Sequence, residues 1–69
     1  MKVDIIKKLE NYLKTTFNND QIKVKARPMK DDSCEFYIGE EFLGVIYEDK
    51  EEDGDISYNL SMAILETDL

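Results

Sequence analysis

Four groups of residues carry whatever chemistry this sequence holds. Cys34 is the single thiol, and the chain has no histidine. A cysteine acts as a nucleophile through its thiolate, which needs a base or a positive neighbour to form at neutral pH. The imidazole that usually fills that role is missing. Cys34 also alternates with Phe36 and Ile38 on the apolar side of its segment. It therefore reads as a small core residue, the common fate of a free cysteine.

The second group is the run Asp49-Lys50-Glu51-Glu52-Asp53-Gly54-Asp55-Ile56. Oxygen ligands at alternate positions, a glycine at the sixth and an apolar residue at the eighth match the opening of a calcium-binding loop. The match stops there, because the twelfth position is Leu60 rather than a bidentate glutamate. The run is better read as a solvated hairpin loop in which Asp53-Gly54 supplies the turn. No cofactor or metal is expected. The remaining carboxylates cluster in polar turns, where nothing raises a pKa toward neutrality, so no general acid–base pair is expected and the chain does not read as an enzyme.

The third group is Lys23, Lys25 and Arg27, alternating with Ile22, Val24 and Ala26. Such a row with Tyr37 beside it could stack single-stranded nucleic acid. Three charges and one or two aromatics are few for that, and the row is better read as protecting the edge of a sheet, since lysines on an edge strand discourage pairing with a neighbour. The fourth group is Tyr37, Phe42 and Ile46, interleaved with Gly44. If all three point away from the core they form an apolar patch fit for a protein partner.

The elements that position these groups follow from periodicity. Ile5, Ile6, Leu9, Tyr12, Leu13 and Phe17 recur every three or four residues, the stripe of an amphipathic helix over about residues 4–17. Asp4 is placed to cap its start and Asn18-Asn19-Asp20 to stop it. The period then changes to two. A first strand, Ile22 to Arg27, ends at Pro28, and Lys30 to Ser33 reads as a turn. Strands from Cys34 to Ile38 and Phe42 to Tyr47 flank Gly39-Glu40, which suits a two-residue type II′ turn. A fourth strand puts Ile56, Tyr58, Leu60, Met62 and Ile64 on one face.

The expected architecture is α+β: one N-terminal helix packed on one face of a four-stranded antiparallel meander, in a single domain over residues 1–69. An even loop at Gly39-Glu40 sets Phe36 opposite Leu43 and Cys34 opposite Val45. Leu43, Val45 and Tyr47 then join the core, and Phe42, Gly44 and Ile46 face outward, with Tyr37 free to pack over Gly44.

Charge is divided along the chain. Residues 1–30 carry eight basic groups against three acidic, and residues 31–69 carry one against thirteen, within a net charge of −7. An acidic molecule is repelled by nucleic acid and anionic membrane at long range, which argues against both as partners. No apolar run approaches the length of a membrane span, and no signal peptide is apparent. A lone cysteine excludes a disulfide framework and fits a reducing, cytoplasmic setting.

The runs Arg27-Pro28, Lys30-Asp31-Asp32-Ser33, Tyr37-Ile38-Gly39, Glu41-Phe42, Gly44-Val45, Glu52-Asp53-Gly54-Asp55, Ser57-Tyr58 and Met62-Ala63-Ile64-Leu65, with Lys8-Leu9-Glu10 and Tyr12-Leu13, carry a resemblance over nearly the whole chain. Together they resemble a family of short alphaproteobacterial proteins of unknown function. The resemblance implies a small cytoplasmic bacterial protein and assigns no catalytic residues. The expected role is a non-enzymatic protein-interaction module, first of all a homodimer. Its candidate contact residues are Tyr37, Phe42, Ile46, Lys23, Lys25 and Arg27. The alternative is a small nucleic-acid-binding domain that uses the basic first strand.

Overall fold

The computed structural model describes residues 1–69. Helix α1 spans Val3–Phe17. Its apolar stripe sinks Ile6 and Leu13 into the core and sets Leu9 at the margin. Asp4 does not cap it. The residue before the helix is Lys2, which makes no side-chain cap bond, and Asp4 sits in the first turn, where its charge favours the positive end of the helix dipole. The helix stops because Asn18 adopts the left-handed conformation (φ 51°). The Asn19 N–H then donates to the Lys14 carbonyl at 3.0 Å. Asparagine tolerates that conformation better than most residues.

Four strands follow: β1 (Ile22–Arg27), β2 (Lys30–Ile38), β3 (Glu41–Lys50) and β4 (Ile56–Met62), with a short 3₁₀ turn at Glu66–Asp68. They form one antiparallel sheet in the order β1-β2-β3-β4. The α+β meander expected from the period switch near residue 20 is the architecture. The helix docks chiefly on β1. Core residues Ile6 and Leu13 meet Ile22, Val24, Cys34, Phe36 and Ile46 beneath it.

One turn and one strand register differ from the sequence expectation. The β1–β2 turn is Pro28-Met29, closed by the pair Arg27–Lys30, so Lys30 to Ser33 lie in β2 rather than in a loop. Proline at the first central position and a positive φ (64°) at Met29 fit a type II turn. A methionine in that conformation is strained, and nothing packs on it, since Met29 is 99% exposed.

The Gly39-Glu40 loop does have two residues, since Ile38 pairs with Glu41, and Gly39 takes the positive φ (62°) that a type II′ turn needs. The register that follows is nevertheless different. A β-bulge between Phe36 and Tyr37 sets Phe36 opposite Gly44 and Cys34 opposite Ile46, leaving Leu43 as the extra residue. One inserted residue exchanges the two faces of the strand beyond it. Gly44 and Ile46 therefore point into the core. Val45 and Tyr47 do not, and Leu43 only packs at the margin.

Gly44 shows why glycine stands beside the bulge. A Cβ there would collide with the Ser61 carbonyl oxygen and lie 2.9 Å from Met62 Cβ. The missing side chain lets β4 close on β3, the close backbone approach that a glycine inside a strand often marks.

Candidate functional site

The outer face of the sheet holds less than the sequence suggested. Ile46 is only 2% exposed and faces inward, so it leaves the proposed outer patch. Tyr37 and Phe42 remain outside and meet edge to face, with ring centroids 5.6 Å apart. Tyr37 does not cover Gly44, because the two lie on opposite faces. Its ring lies 4.5 Å beneath the Lys25 ammonium, and its hydroxyl donates to Glu35 Oε1 at 3.0 Å. That bond, followed by burial and the Glu35 charge, raises the Tyr37 pKa.

The basic row is likewise engaged. Lys23 pairs across the ladder with Tyr37, and Lys25 with Glu35. Arg27 Nη1 donates to the buried Ser33 hydroxyl at 3.2 Å. Of the six candidate contact residues, the sheet brings Lys23, Lys25, Tyr37 and Phe42 together, holds Arg27 at the turn end, and buries Ile46.

Cys34 is fully buried, and burial raises its pKa above the ordinary 9.0 of a thiol. This is the opposite of what an activated thiolate requires. In the β3–β4 loop the Gly54 N–H donates to the Glu51 carbonyl at 3.0 Å, the Glu51 N–H to the Asp55 carbonyl at 2.8 Å, and the Asp55 N–H to Asp53 Oδ1 at 3.1 Å. The loop is held by turn chemistry, and its carboxylates do not gather into a cluster able to hold a metal ion.

The feature that periodicity alone did not reveal is on the inner face. Because α1 sits over β1 and the core beneath it ends at Gly44 and Ile46 of β3, the β4 edge of that face is left without a cover. A groove of about 330 Å³ runs between helix and sheet there, lined by Leu9, Tyr12, Leu13, Ile46, Tyr58 and Leu60. All six are apolar or aromatic. Burial, with Glu48 and Asp4 nearby, raises the Tyr58 pKa, so its hydroxyl stays neutral through the physiological range. In its walls Leu60 is 36% and Tyr12 66% exposed, and beyond it Met62 is 44% exposed. One sequence signal did point here. The fourth strand alternates Ile56, Tyr58, Leu60 and Met62 on one face, more apolar length than one short helix docked at the far edge can cover.

No helix is long and apolar enough to cross a membrane. Comparison with curated proteins and with solved structures returns no match to this chain. A family model described as protein of unknown function, DUF3126, matches residues 6–68, taking in most of the helix and the whole sheet. The chain belongs to the DUF3126 family.

Proposed function

We propose that this protein is a non-enzymatic interaction module of the bacterial cytoplasm, and that its working surface is the uncovered β4 side of the inner face with the groove beside it. The observation that carries the reading is the groove with its six apolar walls. Contiguous exposed apolar surface on a small protein marks a binding site for another macromolecule or an apolar ligand. With no ionisable group but the two tyrosines Tyr12 and Tyr58 lining it, the groove suits recognition rather than proton transfer.

The basic first strand lends less support to nucleic-acid binding. Lys25 already lies over Tyr37 and opposite Glu35, and the ring it would offer to a base is tied to that carboxylate. A photo-crosslinking residue placed at position 12, with a second at position 42 as comparison, tests the surface in the native host. Protein adducts from position 12 are expected. Their absence there, with adducts from position 42, would move the working surface to the outer face.

A further inference from the structure

Resting on that reading, we infer that the occupant of the groove is a second copy of this chain, packed face to face so that each β4 lies beside the other's helix. Surface area is the first argument. A compact monomer of 8.1 kDa exposes about 4,500 Å² by the scaling of folded proteins with mass. This chain exposes 5521 Å². The excess, roughly 1,000 Å², is of the order of the ~800 Å² that each partner buries in a standard interface, and it is shared between the open side of β4, where Ile56, Leu60 and Met62 are exposed, and the C-terminal residues Ile64, Leu65 and Leu69. The radius of gyration agrees, at 12.7 Å against about 11 Å expected for a compact domain of 69 residues.

Layer geometry is the second argument. The helix and the side chains it packs on close the layer above β1, β2 and β3 and leave it open above β4, a layer about 10 Å deep. Packed sheets also stand about 10 Å apart. A second sheet therefore fits beside the helix in the same layer. A two-fold axis parallel to the strands achieves this for both copies at once. It lays the open inner side of β4 of one on that of the other, and each β4 edge then abuts the partner's helix at Tyr12. An in-plane axis across the strands would instead drive the partner's β1 into this helix. Leu60 and Met62 of each copy would fill the groove of the other.

Charge is the third argument. The short Asn18–Gln21 connection turns the chain back, so the helix N-terminus and the β3–β4 loop share one end of the molecule. An axis along the strands keeps them at one end in the dimer. The loop acids Glu51, Glu52, Asp53 and Asp55 then approach the partner helix where Lys8, one turn before Tyr12, and the positive end of the dipole lie.

Sedimentation velocity of the purified chain, from low to high micromolar, tests the arrangement. A species of about twice 8.1 kDa is expected. Tyr12→Asp places a carboxylate on the exposed helix wall, and it should keep the native circular dichroism while raising the dimer dissociation constant at least thirtyfold, roughly a hot-spot loss. Phe42→Asp, on the outer face, should leave the dimer intact. A wild type monomeric at high micromolar overturns the inference. So does a dimer that survives Tyr12→Asp, which would indicate strand-to-strand pairing, or one lost with Phe42→Asp, which would indicate the outer face. A monomer that still crosslinks through position 12 to a different protein overturns the self-association and keeps the interaction surface.

Discussion

The sheet has two edges, and they are built to opposite ends. At β1 the outward-facing Val24 N–H donates to Glu10 Oε1 at 2.9 Å, so a helix carboxylate occupies a position where a new strand would bond. Lys14 stands 3.7 Å from the same carboxylate, and Lys23 and Lys25 project from the strand. Charged edges of this kind refuse a partner strand. At β4 no charge, proline or covering element intervenes, and the apolar side of the strand is open beside the groove. The contrast shows that the helix is placed to close one edge at the expense of the other. A chain with only nine buried residues has little core to give up, so the open side is the more informative half.

Substitutions can break or sharpen this contrast. The largest effect is expected at the β3–β4 seam. Gly44→Ala forces β4 away from β3 and should cost about 3 kcal/mol, the upper range for overpacking a filled site. In a domain this small each kcal/mol lowers Tm by about 4–8 °C, so a thermal melt followed by circular dichroism reads it directly. At the closed edge, Glu10→Ala leaves the Val24 N–H without its acceptor and should cost about 1.5 kcal/mol by denaturant titration. It should also make the chain more prone to aggregate, whereas Glu10→Gln, which keeps an acceptor, should recover most of the loss.

Away from both edges, Met29→Gly relieves the left-handed methionine at an exposed turn. It should raise stability by about 1 kcal/mol, with the sheet unchanged. The smallest effect is expected from pH. Cys34 keeps its proton more tightly in the folded chain than in the unfolded one. As pH rises through 9, the unfolded chain releases that proton first, so stability should fall slightly and Cys34→Ser should remove that part of the slope. At neutral pH the buried thiol should react with a disulfide reagent only as fast as the protein opens.

These features differ in how far the sequence discloses them. The Ile5-to-Phe17 stripe and the alternation from Ile22 onward announce the helix and the strands, because both depend on local periodicity. The Gly39-Glu40 turn is equally local. The bulge after Phe36 is not. It inserts one residue, Leu43, into a strand whose two faces are both apolar enough to bury, and pattern alone favours the β-branched Val45 with Leu43. Gly44 was the available signal, since a strand glycine marks a bulge or a close backbone approach as readily as an exposed small position. The Pro28-Met29 turn is hidden for a different reason, because methionine is a poor residue for a positive φ and the acidic run beside it looks more like a turn. The Glu10–Val24 bond and the groove are tertiary. They depend on where the helix lands across the sheet, which no single segment encodes.

Amide hydrogen exchange measured as a function of protein concentration distinguishes a closed β1 edge from a β4 that faces a second chain. Protection is expected to rise with concentration along Ile56–Met62 and around Leu9–Leu13, while Ile22–Arg27 and the Tyr37–Phe42 region do not change. Exchange along β4 that is independent of concentration, or a rise in protection centred on β1 or on the outer face, would contradict this arrangement.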